Sequence, residues 1–227
     1  MAKKKKNSNY VTEKRENAKV EREAKESKEK TKAIVKKAVP LFIASLVLVG
    51  LLVGFAFLIG LFDYYPEATS HVSVSLEYVN AEGETKTAAL HVELYGNDAP
   101  KTVENFEKLV TSKYFNEMTF HSFKDGLLYG GSVTADGGDK GIEGEENKIS
   151  HKRGIISMAR GEDRNSAYGQ FFIVTEDNKE LDGEYTAFAA IDEDGMKVID
   201  ELVALAGEDG SFASRPVIKS ISTHAAH

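Results

Sequence analysis

At 227 residues and a net charge of −7, the chain has room for one ordinary domain plus appendages. It contains no Cys, which excludes disulfides, thiol catalysis and thiolate metal sites. The charge is divided: residues 1–37 hold 14 Lys/Arg against 6 Glu, a net of +8 that leaves −15 on the remainder, and an acidic body of that kind repels phosphate and argues against a nucleic-acid partner.

Residues 1–37 are nearly all Lys, Glu, Ala, Asn and Ser, too few of them apolar to fold alone, and read as a basic, partly helical tail. Residues 38–62 carry no charge. At about 1.5 Å per residue they exceed a hydrocarbon core of about 30 Å, so they are expected to form a transmembrane helix in a lipid bilayer, with Pro40 in its first turn. All the neighbouring basic residues precede this span and the next after it is Lys86. The positive-inside rule then predicts a single-pass cell-membrane protein with a cytosolic N-terminus and an extracytoplasmic body. Residues 63–70 read as a linker, with Tyr64 and Tyr65 at the membrane interface and Pro66 breaking the helix, and residues 71–227 as the folded domain.

Within that domain, 71–79 and 85–95 alternate as strands, the second with Leu90, Val92 and Leu94 on one face. Asp98 is the expected N-cap of a helix with Pro100 in its first turn and Val103, Phe106, Leu109 and Val110 as its apolar stripe. Short strands follow at 119–123 and 127–131, then a long acidic, Gly-rich loop over 133–147. Further strands are expected at 154–159, 170–175 and 186–191, a second helix at 196–205, and a last strand at 216–223 with Val217, Lys219, Ile221 and Thr223 on one face and Ile218 on the other. About eight short strands and two separated helices predict a mainly β fold: a closed eight-stranded antiparallel barrel capped by two helices, which removes edge strands. A β-sandwich is the alternative.

The stretch 157–174, S-M-A-R-G-E-D-R-N-S-A-Y-G-Q-F-F-I-V, carries most of the functional content. Alternation puts Gln170 and Phe172 on one strand face and Phe171 and Ile173 on the other. An amide beside a ring suits gripping a peptide, the amide bonding its backbone and the ring flooring an apolar pocket. The same residues also suit a strand buried on both faces.

Several segments coincide with one pattern. Residues 94–110, L-Y-G-N-D-A-P-K-T-V-E-N-F-E-K-L-V, resemble the first helix and its lead-in of the cyclophilin-type peptidyl-prolyl isomerases. Phe120-His121 resembles the start of that family's F-H-R segment, S-M-A-R…N-S-A-Y-G-Q-F-F-I-V its M-A-R…N-S-A-x-S-Q-F-F-I segment in the form seen in bacterial members, and L-D-G-E-Y-T-A-F at 181–188 its L-D-G-x-[HY]-x-x-F. The resemblance spans about 72–223 and implies an eight-stranded barrel with two helices, acting on Xaa-Pro bonds in proline-containing segments of unfolded or secreted proteins. It also implies roles. Gln170 hydrogen-bonds the substrate backbone, Phe172 floors the proline pocket and His121 takes the family's His position. Leu128 stands where the family has Met, Leu127 replaces a Phe, Leu181 forms a wall, and Tyr185 stands for a His or Tyr. Ala159 and Arg160 line the groove for residues before the proline. Prolyl isomerisation breaks no bond, so it needs no nucleophile, metal or cofactor.

The departures are as informative. The family's arginine beside the His, which donates to the prolyl nitrogen, reads Ser122 here, a short neutral group in place of a guanidinium. Its Q-G-G-D reads Gly130-Gly131-Ser132-Val133, and its Trp before Leu181 reads Glu180. The resemblance therefore implies an isomerase of reduced activity, with Arg160 or Arg164 as candidate substitutes for the arginine. The alternative is a catalytically weak proline-peptide binding module or chaperone.

Overall fold

In the computed structural model, residues 2–58 and 64–225 are described. The chain divides into two compact units, the division falling after residue 62.

The first unit is one helix, α1 (Ala2–Leu58). The basic tail and the apolar stretch are continuous, so Pro40 lies inside the helix and not in a first turn. Lacking an N–H, Pro40 leaves the carbonyl four residues back without its helical donor. α1 contains a stretch long and apolar enough to cross a membrane, and its Phe42, Leu46, Leu51 and Phe55 side chains are exposed. Residues 59–62, the end of the expected span, lie outside the described residues.

The second unit contains β1 (Ser70–Val79), β2 (Thr85–Leu94), α2 (Pro100–Thr111), β3 (Thr119–Lys124), β4 (Leu127–Gly131), β5 (Ile155–Met158), β6 (Gln170–Val174), β7 (Ala187–Ile191), α3 (Glu193–Ala204) and β8 (Val217–Ala225). The strands close into a barrel in the order β1-β2-β7-β5-β6-β4-β3-β8, antiparallel throughout. The alternation of β1 and β2 decides which residues fill it: Val72, Val74 and Leu76 from β1 meet Leu90, Val92 and Leu94 from β2 in one buried cluster. Each fully buried Leu or Phe contributes about 1.5–3 kcal/mol relative to exposure. The apolar stripes of α2 (Val103, Phe106, Val110) and α3 (Met196, Ile199, Leu202) join the same cluster, which fixes both helices on the barrel.

Three local expectations change. Asp98 does not cap α2; it accepts a hydrogen bond from the Tyr64 hydroxyl at 2.7 Å. The orphan N–H groups of Lys101 and Thr102 instead donate to the Glu145 carboxylate at 2.9 and 2.8 Å, a cap supplied by the long acidic loop. α3 starts earlier than expected because Asp192 caps it, its side chain accepting from Gly195 N at 2.7 Å. In β8, a register shift opposite Ser75/Leu76 puts Ile218 and Ile221 in the same core, where strict alternation separates them.

Candidate active site

β6 is buried along its whole length, but its two faces serve different clusters. Phe171 and Ile173 point into the barrel with Phe106, Phe120 and Leu128. Phe172 and Val174 point outward, into a second cluster with Leu127, Ala159, Ile149, Ile155 and Ala187, against which Tyr129, Leu181 and Tyr185 pack. The strand is therefore core on both sides, and one of those two cores lies on the outward face of the barrel.

Phe172 is the centre of that outward cluster and is 1% exposed. Tyr129 lies against it with ring centroids 5.8 Å apart, Tyr185 meets it edge-on at 5.3 Å, and the His151 ring stacks at 6.3 Å. Such contacts favour offset or edge-to-face geometry because each ring has a negative face and a positive edge.

Beside the rings is a polar corner. Gln170 Nε2 donates to Ser132 O at 2.7 Å, and His121 Nε2 lies 3.1 Å from the same oxygen. A carbonyl oxygen has two lone pairs, so it accepts both groups when His121 carries its proton on Nε2. The 3.3 Å separation of His121 Nε2 from Gln170 Nε2 is then a contact between two donors. Burial, first, pulls the His121 pKa below its usual value; the bond to Ser132 opposes this and the Arg215 charge adds to it. His121 is thus a neutral donor near pH 7.

His121 reaches this corner through a β-bulge. Phe120 pairs with Gly130 and Ser122 with Tyr129, so His121 is the extra residue in β3. Simple alternation sends His121 and Ser122 to opposite faces. The bulge instead leaves Ser122 opposite Tyr129 while His121 turns to Gln170 on the same side. The glycine pair that follows is required by space. A Cβ on Gly130 would come within 3.0 Å of Phe120 and Phe171, and Gly131 has φ +79° with the Gly169 carbonyl 2.4 Å from any Cβ.

The expected site residues divide accordingly. His121, Gln170, Phe172, Leu127, Ala159, Leu181 and Tyr185 belong to the outward cluster or its polar corner. Leu128 does not. It is fully buried inside the barrel, because it stands one residue out of phase with Leu127 and Tyr129. Gly130 likewise backs onto the barrel core, and the residue between them, Tyr129, faces outward against Phe172. Arg160 and Arg164 are committed elsewhere. Arg160 lies over the Tyr185 ring at 5.0 Å and donates to the carbonyls of Glu184 and Gly161, while Arg164 pairs with Glu146 and Glu184. Both line a neighbouring groove of about 420 Å³ with Glu143, Glu145, Met158 and Tyr185.

Two features escaped the sequence reading. One is Tyr129, whose place beside Leu127 was available from alternation alone. The other is a buried row behind Phe172. Asp182 Oδ1 is 2.9 Å from His151 Nδ1 and accepts from the His151 backbone N–H at 2.7 Å, while Ser157 Oγ is 2.7 Å from His151 Nε2. His151 and Ser157 are buried and orient groups without reaching a substrate, while Asp182 at the end of the row is partly exposed. Burial lowers the His151 pKa despite Asp182. The neutral ring then donates from Nδ1 to Asp182 and accepts from the Ser157 hydroxyl.

Comparison with known proteins agrees with this architecture. Residues 80–223 match the family model for cyclophilin type peptidyl-prolyl cis-trans isomerase/CLD. A peptidyl-prolyl cis-trans isomerase of Synechococcus elongatus is 35% identical over 124 residues, covering 52% of this chain and 85% of that protein. One from Helicobacter pylori is 34% identical over 125 residues, covering 52% and 76%. A crystal structure of a Cryptosporidium parvum cyclophilin type isomerase, determined in the presence of the dipeptide Ala-Pro, has the same fold, with TM-score 0.54 and 24% identity over 67% of this chain and 99% of that one. The chain belongs to the cyclophilin-type peptidyl-prolyl cis-trans isomerases, enzymes that interconvert the cis and trans forms of the bond before proline.

Proposed function

We propose that this isomerase acts on Xaa-Pro bonds of extracytoplasmic proteins as they fold, held at the cell membrane by the apolar part of α1 with its basic end in the cytosol. The observation that carries the substrate reading is the convergence of Gln170, His121 and Phe172 on one outward face of β3, β4 and β6. The Ala-Pro dipeptide present with the Cryptosporidium relative supports a proline-containing ligand. In this reading the Phe172 ring receives the proline, with Leu127, Leu181 and Tyr185 around it, Gln170 holds the peptide backbone through its side-chain oxygen with His121 beside it, and Ala159 and Arg160 border the preceding residues.

A prolyl bond resists rotation by about 18–20 kcal/mol because amide resonance is lost on the way. Catalysis requires tighter binding of the twisted amide than of either planar form. Ser122 offers a short neutral hydroxyl for that task, and Arg160 and Arg164 are held by Glu184 and Glu146. The proposed activity is therefore below that of a member with an arginine at Ser122.

The test is isomerisation of a proline peptide by the full chain in detergent, alongside Ser122→Arg and Phe172→Leu. Ser122→Arg is expected to raise kcat/KM, and Phe172→Leu to weaken peptide binding with the fold retained in a thermal melt. Peptide binding unaffected by Phe172→Leu would refute the site. Wild-type rates equal to buffer, with binding intact, would instead make the domain a proline-peptide binding module.

A further inference from the structure

The outward face holds several hydrogen-bond donors, and most are occupied. The Gln170 amide and the His121 ring both face Ser132 O. Arg160 is tied to Glu184 and lies over Tyr185, and Arg164 bridges Glu146 and Glu184. Among the described residues, three hydroxyls on this face make no hydrogen bond: those of Tyr129 and Tyr185, whose rings lie against Phe172, and the short Ser122 hydroxyl opposite Tyr129.

Its position follows from the strand register. Tyr129 on β4 is the direct partner of Ser122 on β3 and of Phe172 on β6. The three residues form a row across three strands on one face, with Tyr129 in the middle. Cross-strand partners stand about 4.5–5.5 Å apart at their Cβ atoms, within reach of a long aromatic side chain. On one flank the tyrosine has the short, neutral Ser122 side chain as its cross-strand partner. On the other, the tyrosine ring rests on Phe172 at 5.8 Å. Tyr185, by contrast, is fixed under Arg160.

We propose that the Tyr129 hydroxyl is a catalytic hydrogen-bond donor, meeting the prolyl amide nitrogen as it twists and occupying the role that Ser122 is too short to fill. This rests on the reading that the proline binds at Phe172. As the C–N bond rotates, the nitrogen lone pair leaves the π system and becomes localised, and a donor aimed at it stabilises the twisted state over both planar ones. No proton is transferred and no bond is made or broken; the phenol keeps its hydrogen throughout. Burial, followed by the nearby Tyr185 and Asp125, raises the Tyr129 pKa, which keeps that hydrogen in place under ordinary conditions. A phenol is a weaker partner than a guanidinium, which fits an enzyme of modest activity.

The decisive variant is Tyr129→Phe, which removes the hydroxyl and keeps the ring against Phe172. The full chain in detergent is compared with Tyr129→Phe and Phe172→Leu for isomerisation rate and for affinity toward a proline peptide. Tyr129→Phe is expected to melt at the wild-type temperature, bind the peptide within about twofold of wild type, and lose roughly tenfold in kcat/KM, the loss expected for one neutral hydrogen bond made only in the twisted state. An unchanged rate in Tyr129→Phe, while Phe172→Leu loses binding, overturns the donor role and leaves the site standing. Equal losses of rate and affinity in Tyr129→Phe overturn it too, since the hydroxyl would then bind planar and twisted forms alike. Unchanged behaviour in both variants overturns the donor role together with the site.

Discussion

Replacing His151 tests whether the buried row behind Phe172 supports the site. His151 is 2% exposed and spans the gap between Asp182 and Ser157. His151→Ala removes a buried ring that stacks on Phe172, a change of the kind that costs about 2–5 kcal/mol depending on how far the site collapses. It also orphans the Ser157 hydroxyl, which has no exposed surface, for about 1–3 kcal/mol more. Asp182 suffers little, because its side chain is 33% exposed and it keeps the backbone N–H of residue 151. The terms overlap, so the expected loss is about 3–5 kcal/mol. Adding Ser157→Ala removes the orphan and is expected to recover about 1–2 kcal/mol. Urea unfolding of the full chain, followed by tyrosine fluorescence since there is no Trp, measures both. A His151→Ala loss below about 1 kcal/mol, or a double variant no more stable than the single, would refute the reasoning. The same residue sets a pH dependence. Burial lowers its folded pKa, so the unfolded state takes up a proton near pH 6.5 while the folded state does not. Stability is therefore full above about pH 6.5 and falls as pH drops toward the folded pKa. His151→Ala flattens that slope without abolishing it, because the His121 pKa is lowered in the same direction.

Two other expectations are independent of that row. Arg215 contributes to the lowered His121 pKa, so Arg215→Ala is expected to raise the midpoint of the His121 titration, read from its imidazole resonances; a midpoint that stays or falls would show that the charge is not felt there. The chain has no Cys, so Ser27→Cys and Glu82→Cys can each be labelled alone in intact cells with an impermeant maleimide; the proposed topology expects labelling only at residue 82, and labelling at residue 27 would reverse it.

Elements whose pattern repeats locally were legible from sequence. The alternation of Leu90, Val92 and Leu94 and the stripe of Val103, Phe106 and Val110 each have one burial solution, and the barrel adopts it. What was not legible depends on partners distant in sequence. The cap of α2 comes from Glu145, more than forty residues away, and no local pattern selects it over Asp98. The register shift of β8 is a mismatch between β8 and β1, a property of the pair and of neither strand alone. The charge pattern of residues 1–37 is compatible with a helix, but that this helix runs on through Pro40 depends on the helical backbone on both sides of it.

The site shows the same division at the scale of one residue. Sequence reading placed Gln170 and Phe172 together because β6 alternates without interruption. The family resemblance put both Leu127 and Leu128 in the site, but adjacent residues of β4 face opposite sides, and Leu128 belongs to the barrel core. The bulge at His121 shifts the register of β3 against β4, so that Ser122 and not His121 stands opposite Tyr129. In a strand such a slip exchanges the two faces. On β4 the outward positions are Leu127 and Tyr129, while Leu128 and Gly130 face the barrel. In β3 the bulge allows His121 to turn toward Gln170 while Ser122 stays opposite Tyr129. Without the extra residue, adjacent positions in β3 would face opposite sides and the corner could not form. A one-residue deletion that regularises β3 therefore cannot leave the site intact: it must lose either the His121–Gln170 contact or the Ser122–Tyr129 pairing.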